Sequence, residues 1–265
     1  VQHGRFDAIM NYRFGDAMFK FFIDEKNQIS VTELENLLDG VISDYGFEKT
    51  LILQNMLGSH DMERLASAVV NPDRWIDHGN NTWHNREFDI RKPNARERLI
   101  QKTIITFQFM FPGAPLIYYG DEVGMWGGDD PDCRKPMLWS ELDYDSEKAH
   151  FWDELDECSG SRPIDKVTVD DNLFNHYQNL INLRKKHIAL TQGNYKLVYS
   201  NDKSGIFAFE RFTENERILA IFNGSTISTE IISDIFPNNK NNWNQILGDN
   251  SNILNGKDVQ IFIFN

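Results

Sequence analysis

The stretch LQNMLGSHDMER, residues 53–64, joins an apolar run to a group of titratable side chains. The run begins earlier, in TLILQNMLG (residues 50–58), and it is almost continuously apolar. A run of this length and composition is typical of a parallel strand that is covered on both faces. His60 and Asp61 follow directly, so they are predicted to lie at the carboxyl end of a buried strand. In βα architectures, that end of the sheet holds the active site.

Strand and helix alternate on either side of this stretch. Further strands are predicted at residues 6–12 (FDAIMNY) and 115–120 (PLIYYG), and helices at residues 29–46, from Asn94 onward and at residues 172–186. Ser30 and Glu33 have the spacing of a capping box at the start of the first helix. About three strand–helix units in succession indicate a parallel sheet with helices outside it. Asp121 and Glu122 follow the last strand, on the same functional edge as His60.

The pattern changes near Leu190. From there the runs YKLVYS, GIFAFERF, RILAIFNGS and VQIFIFN alternate apolar and polar residues, and turns rather than helices separate them. This alternation is typical of antiparallel strands with one face on a core. We therefore predict two domains: residues 1–189, with the parallel sheet, and residues 190–265, an antiparallel β domain.

Composition narrows the possible partners. The 265 residues carry a net charge of −13 without a basic stripe, so nucleic acid and anionic membrane surfaces are poor partners. No apolar run approaches the roughly 20 residues that span a bilayer, which predicts a soluble chain and leaves a bacterial cytoplasm or periplasm open. Cys133 and Cys158 form no metal motif and no disulfide framework. The chain lacks an initiator Met and enters an expected core strand almost at once, as though it began in mid-domain.

Two long motifs resemble those of a known family. MLGSHDMER and FPGAPLIYYGDEVGMWGGDDPDCRKPMLW, with the preceding FDAIMNYRFGDA, resemble the α-amylase family of glycoside hydrolases, most closely its neopullulanase, cyclomaltodextrinase and maltogenic amylase group. The resemblance implies a (β/α)8 TIM barrel, of which this chain would hold the last three βα units, followed by a C-terminal β-sandwich. It also implies an α-glucan oligosaccharide substrate, namely a maltooligosaccharide, cyclodextrin or pullulan, and no organic cofactor.

The resemblance further implies roles for individual residues. Asp61 matches a carboxylate that stabilises the oxocarbenium-like transition state, and His60 matches an imidazole that hydrogen-bonds sugar hydroxyls. Asp130 and Arg134 match residues that hold the neighbouring glucose, and Trp126 is expected to stack on a sugar face. Retaining hydrolysis needs a nucleophile and an acid, two carboxyl groups about 5–5.5 Å apart. Neither family motif that carries them is found, so we expect a fragment that is inactive alone.

Simpler explanations compete at several positions. Asp61 could cap the helix that follows it. Glu63 and Arg64 are expected to form an orienting ion pair. Asp121 and Glu122 look like a catalytic dyad, but adjacent residues on a turn point in different directions, so a bracing role is expected.

The acidic segment GGDDPD and two histidines could suggest a metal site. The segment lacks the ligand spacing of a calcium loop, and His78 and His84 lack helical metal spacing, so no metal is expected and both histidines are predicted to be solvated. Trp75 and Trp83 could line a substrate cleft or pack beneath their loop.

Two other functions stay open. Isomerases and transglycosylases of the same family share these motifs and differ in whether water or a sugar hydroxyl attacks the glycosyl-enzyme. Non-catalytic relatives serve as subunits of amino-acid transporters, although a degenerate site has no reason to keep His60, Asp61 and Arg134 together. Three βα units leave strand edges uncovered, which predicts association with a second copy or with the missing N-terminal half.

Overall fold

The computed structural model describes residues 6–73, 79–82, 84–85, 87–147 and 164–264. The helices in these ranges are α1 (Tyr12–Phe22), α2 (Val31–Tyr45), α3 (Phe47–Thr50), α4 (Leu65–Ala68), α5 (Ala95–Met110), α6 (Asp171–Lys186) and α7 (Ile188–Gln192). The strands are β1 (Met10–Asn11), β2 (Gln54–Met56), β3 (Ala114–Leu116), β4 (Asn194–Asn201), β5 (Ile206–Phe212), β6 (Arg217–Asn223), β7 (Thr229–Glu230), β8 (Trp243–Leu247), β9 (Ile253–Leu254) and β10 (Val259–Phe264).

The first part of the chain builds a parallel sheet in the order β1-β2-β3. Met10 of β1 pairs with Gln54 of β2, and Gln54 pairs in turn with Ala114 of β3. Helices α1, α2 and α5 supply apolar side chains to the core beside this sheet. The predicted parallel sheet with helices outside it is confirmed. Because the strands are parallel, the loops that follow β2 and β3 lie at one edge of the sheet.

The strands are shorter than the apolar runs that predict them. β1 covers only Met10–Asn11, since Asn11 Oδ1 accepts a hydrogen bond from Phe14 N at 3.2 Å and starts α1, a helix that the sequence pattern did not indicate. β3 ends at Leu116 instead of continuing to residue 120. A turn replaces the rest of the predicted strand, with Gly120 at a φ of 86°.

Helix boundaries agree with the capping signals. Ser30 Oγ accepts a hydrogen bond from Glu33 N at 3.1 Å, and Glu33 Oε2 accepts one from Ser30 N at 2.8 Å. Asn94 and Glu97 form the same capping box at the start of α5. The helix predicted at residues 172–186 is α6, which begins one residue earlier. In the described ranges, no helix combines the length and hydrophobicity that crossing a bilayer requires.

The C-terminal strands form an antiparallel sheet in the order β4-β5-β6-β10-β8. Strands β4, β5, β6 and β10 correspond to the predicted ones. The sequence pattern missed β8, because its WNQIL sequence lies in an Asn-rich segment that reads as a loop. The short β7–β9 sheet packs over one face around Ile221, Phe236 and Leu254. β4 begins at Asn194, while the domain boundary at residues 189–190 stays a prediction.

The other face of this sheet packs on the helices of the first part of the chain. Phe107 of α5 lies at the centre of the contact. Its ring centroid is 4.6 Å from that of Phe222 and 5.9 Å from that of Phe207, both in the sheet. It is also 6.1 Å from the rings of Phe14 and Phe22 in α1. One apolar core therefore runs through both parts and holds the parallel sheet in place.

Candidate active site

His60 and Asp61 lie in residues 58–64, the segment after β2 that is termed the β2 loop below. The side chains contact each other, with 3.2 Å between His60 Nε2 and Asp61 Oδ2, and they are 62% and 58% exposed. Asp61 N donates a hydrogen bond to Ser59 Oγ at 3.1 Å, which folds the tip of the loop back on itself. Asp61 caps no helix, since α4 begins at Leu65 with Arg64 as its N-cap residue. Because the side chains of His60 and Asp61 are exposed and Asp61 is not used as a helix cap, both are accessible to a ligand.

Arg134 joins this pair from the loop after β3, in a 3-10 turn at Asp132–Arg134. Its Nε donates a hydrogen bond to His60 O at 2.8 Å and lies 3.0 Å from Asp130 Oδ1. Its Nη2 lies 3.4 Å from Asp61 Oδ1. The predicted site residues His60, Asp61, Asp130 and Arg134 thus form one contiguous cluster. The guanidinium supplies donors and the exposed carboxylates supply acceptors for the hydrogen bonds of paired hydroxyls.

Trp126 does not belong to this cluster. The residue is only 2% exposed. The ammonium nitrogens of Lys92 and Lys135 lie 5.5 and 6.0 Å from the centroid of its ring. Trp126 also lines a second cavity, of about 320 Å³, so the stacking of a sugar on its ring stays a prediction.

Arg64 forms the buried ion pair of the site, with a partner that differs from the expected one. Its Nη1 donates hydrogen bonds to Asp121 Oδ1 and to Tyr119 O, each at 2.8 Å. The Arg64 and Asp121 side chains are 0% and 5% exposed. This corrects the expected pairing of Arg64 with Glu63, because the fold turns the guanidinium toward the loop after β3. It also favours the bracing role for Asp121 over a catalytic dyad.

Burial sets the electrostatics around this pair. Desolvation raises the pKa of Asp121 to about 6, although the Arg64 guanidinium opposes the shift. The guanidinium carbon also lies 4.6 Å from the ring centroid of Tyr118 and 5.0 Å from that of Tyr119. Burial likewise raises the pKa of the Cys133 thiol to about 11. Cys133 is therefore an uncharged neighbour of the site at neutral pH.

A cavity of about 200 Å³ adjoins the cluster. Arg134 forms part of its wall together with Asn81, Thr82, Asp129, Asp132 and Lys135. Asp129 and Asp132 belong to the acidic segment GGDDPD, whose sequence suggested only a metal site, and the sequence patterns assigned no role to the other three residues. Lys135 Nζ lies 3.3 Å from Asp132 Oδ1 and also pairs with Glu147. The named wall residues come from two separate loop segments, residues 81–82 and 129–135, so no local sequence signal could have grouped them.

Metal-binding and aromatic candidates add little to the site. Within the part of the chain that the structure describes, no three His, Cys, Asp or Glu side chains are grouped so that they could hold a metal ion. His84 is exposed, in agreement with the prediction that it is solvated. The predictions for Trp75, His78 and Trp83 fall outside the described residues, as does Cys158.

The cluster is suited to binding a neutral polyol and to stabilising positive charge. Carboxylates accept hydrogen bonds from hydroxyls, and a carboxylate that faces developing positive charge lowers the energy of the transition state. The carboxylates of Asp61 and Asp130 both contact Arg134, and their side chains are 58% and 46% exposed. They lie in solvent-accessible, hydrogen-bonding surroundings, which favour recognition of a ligand.

Known proteins match most of the chain. A family model described as the α-amylase catalytic domain matches residues 1–193. A cyclomaltodextrinase from Geobacillus thermopakistaniensis (strain MAS1) is 31% identical over 227 residues, which cover 86% of this chain and 30% of that protein. Neopullulanase 2 from Thermoactinomyces vulgaris is 28% identical over 83% of this chain and 28% of that protein. The chain thus spans less than a third of the length of these two relatives.

Solved structures share the fold. A cyclomaltodextrinase aligns with a TM-score of 0.66 at 26% identity, over 98% of this chain and 37% of that one. The type III pullulan hydrolase from Thermococcus kodakarensis aligns with a TM-score of 0.68 at 21% identity, over 97% of this chain and 36% of that one. The parallel sheet and its helices correspond to the C-terminal part of a (β/α)8 TIM barrel, and an antiparallel β-sandwich domain follows. By its match to the catalytic-domain model and by this shared fold, the chain belongs to the α-amylase family of glycoside hydrolases.

Proposed function

We propose that the chain belongs to an α-glucan-acting retaining glycoside hydrolase, in which it binds the sugar and stabilises the transition state. The cluster of His60, Asp61 and Arg134 at the carboxyl end of the parallel sheet is the observation that carries this proposal. Relatives named cyclomaltodextrinase and neopullulanase support maltooligosaccharides, cyclodextrins and pullulan as the substrates. Residues 1–189 would supply the barrel part of the active site, and residues 190–265 the C-terminal domain.

The geometry favours one role for each residue of the cluster. Asp61 would face the anomeric carbon, where its negative charge stabilises an oxocarbenium-like transition state. His60 would hydrogen-bond hydroxyls of the same sugar, because its Nε2 lies 3.2 Å from the Asp61 carboxylate. Arg134 and Asp130 would hold the adjacent sugar through paired hydrogen bonds.

Cleavage requires two further carboxyl groups, a nucleophile and a general acid. The family's motifs for these groups are not found among the 265 residues. We therefore infer that the chain binds an α-glucan but does not hydrolyse it alone, and that the nucleophile and acid belong to a part of the enzyme outside this sequence.

Titration calorimetry with maltotriose and with β-cyclodextrin tests the binding proposal. We expect the 265-residue chain to bind at least one of them, and the Asp61→Asn variant to bind about tenfold more weakly, because a charge-assisted hydrogen bond is lost. Asp44→Asn is the matched control. Asp44 forms an exposed ion pair with Arg13 whose side-chain exposures, 57% and 44%, resemble the 58% and 45% of Asp61 and Arg134.

Reducing-sugar release from pullulan and β-cyclodextrin is measured on the same samples. We expect none from the 265-residue chain. Absence of any glucan binding, or equal affinity of the Asp61→Asn variant and the wild type, would contradict the proposed site. Release that Asp61→Asn abolishes would show that the chain supplies its own nucleophile and acid.

A further inference from the structure

The β2 loop is bracketed at both ends by one side chain from another loop. Asp121 Oδ1 accepts the hydrogen bond from Arg64 Nη1, at the last residue of the β2 loop. At its first residue, a Cβ atom added to Gly58 would lie only 3.3 Å from Asp121 Oδ2. The two oxygens of a single carboxylate therefore approach both ends of the segment that carries His60 and Asp61.

Arg64 extends this connection to the backbone of the loop after β3. Its Nη1 also donates to Tyr119 O at 2.8 Å, and its backbone N donates to Gly127 O at 3.1 Å. Its guanidinium lies against the rings of Tyr118 and Tyr119. The end of the β2 loop is thus attached to two points of the neighbouring loop and to a pair of aromatic rings.

A second contact of the β2 loop is more exposed to solvent. Arg134 donates to His60 O, but the Arg134 side chain is 45% exposed, and exposed polar contacts are screened by water and salt. The Arg64 and Asp121 side chains are buried, where water and salt compete much less for the same groups. The buried pair is therefore the firmer anchor of this loop.

We propose that Arg64 and Asp121 are positioning residues, which hold the β2 loop so that His60 and Asp61 face the glucan. This inference rests on the proposed function, since the positioning matters only if these two residues bind sugar. The Arg64 and Asp121 side chains are buried and so would not contact the sugar. They act through the backbone of the loop.

The test separates positioning from mere stabilisation. The double variant Arg64→Met/Asp121→Leu replaces both buried charges by apolar side chains, a change that often leaves stability intact or raises it. It also removes the hydrogen bond to Tyr119 O. We expect an unfolding midpoint in urea close to that of the wild type. Amide hydrogen exchange in residues 58–64 should become at least about tenfold faster, and maltotriose should bind about tenfold more weakly.

The control is Glu210→Gln, which weakens a half-buried ion pair between Glu210 and Arg217 in the antiparallel sheet, whose side chains are 2% and 33% exposed. It should leave exchange in residues 58–64 and maltotriose affinity unchanged. If the amides of residues 58–64 exchange as slowly in the double variant as in the wild type, the inference is overturned. If the double variant does not fold, Asp121→Asn is measured in its place, and the same comparison of exchange decides.

Failure of the proposed function is distinguishable from failure of this inference. If the wild type binds no glucan, the proposed function fails, while hydrogen exchange still decides whether the pair holds the β2 loop. If the wild type binds and the double variant exchanges faster but binds equally well, the positioning role is overturned although the binding site stands.

Discussion

At the scale of a single residue, the partial burial of His176 predicts a pH dependence of stability. Its Nε2 lies 3.0 Å from Thr106 Oγ1 and 3.2 Å from Lys102 O, between α6 and α5. Desolvation lowers the pKa of His176 to about 4. The imidazole is therefore neutral in the folded state at neutral pH.

This shift predicts a pH dependence of stability with a definite sign. The unfolded state takes up a proton near the ordinary histidine pKa, about 6.5, while the folded state does so only near pH 4. The contribution of neutral His176 to the free energy of unfolding is therefore fully present above about pH 6.5. As the pH falls toward 4, this contribution is lost, and the free energy of unfolding decreases by up to about 3 kcal/mol. Urea unfolding of the wild type and of the His176→Gln variant, each at about pH 7 and at about pH 4.5, measures this change in the free energy of unfolding.

The difference between these two proteins is the informative quantity, because other groups also titrate in this range. We expect the wild type to lose more stability than the variant on acidification. The matched control is His84→Gln, since His84 is exposed. That variant should lose as much stability as the wild type. Equal pH dependence of His176→Gln and the wild type would refute the expected role of His176.

At the scale of one element, α5 packs against both the parallel-sheet part and the antiparallel sheet. Side-chain caps define where this helix begins. Asn94 Oδ1 accepts a hydrogen bond from Glu97 N at 3.0 Å, and Glu97 Oε2 accepts one from Asn94 N at 2.7 Å. Arg91 holds the Glu97 carboxylate with two further bonds. Farther along the helix, Gln108 donates to Asn55 O in the middle of β2 and to Leu116 O at the end of β3. Correct placement of α5 therefore supports the sheet edge that carries the site.

Removal of the cap should destabilise the protein by about 1 kcal/mol. We expect this from Asn94→Ala, while Asn94→Asp should cost less because the acceptor oxygen is retained. Chemical denaturation monitored by circular dichroism measures both. Ser30→Ala, at the matching capping box of α2, should give a loss of similar size. A cost for Asn94→Asp equal to that of Asn94→Ala would show that the acceptor oxygen is not what stabilises the helix start.

At the scale of the whole molecule, the aromatic core makes the parallel sheet and the antiparallel sheet depend on each other. Phe107 is fully buried and contacts rings from α1 and from strands β5 and β6. Truncation of the Phe107 side chain would create a cavity between the parallel-sheet part of the chain and the antiparallel sheet. Phe236 belongs instead to a second apolar cluster, on the outer face of the antiparallel sheet.

We expect Phe107→Ala to lower the free energy of unfolding by about 3–5 kcal/mol. Because the core is shared, hydrogen exchange should accelerate in α1 and in β6 together. Phe236→Ala is the comparison, and its effect should be largest in the antiparallel sheet. Acceleration of only one of the two elements in Phe107→Ala would show that they unfold independently.

The parallel sheet predicts the association behaviour of the chain. Among the described residues, no strand pairs with the outer edges of β1 and β3, and Ile52 and Ile117 are exposed near the ends of strands β2 and β3. Such edges favour pairing with another chain. We expect sedimentation velocity to show concentration-dependent self-association. A single monomeric species over a wide concentration range would contradict this expectation.

The sequence by itself determined the alternation of strand and helix, the capping boxes and most of the antiparallel strands. These features depend on local periodicity and on hydrogen bonds between residues a few positions apart. The motif around His60 and Asp61 predicted their place after a strand for the same reason. The apolar run at residues 6–12 predicted a longer strand than the structure has. There Asn11 caps a helix, so β1 ends and α1 begins.

Only the tertiary structure decided which of these residues meet. Arg134 reaches His60 across 73 intervening residues, Arg64 pairs with Asp121 rather than with its neighbour Glu63, and Trp126 is buried. Each outcome depends on how the loops after two parallel strands pack against each other. Burial and long-range pairing result from the assembled core, so no stretch of sequence contains them by itself.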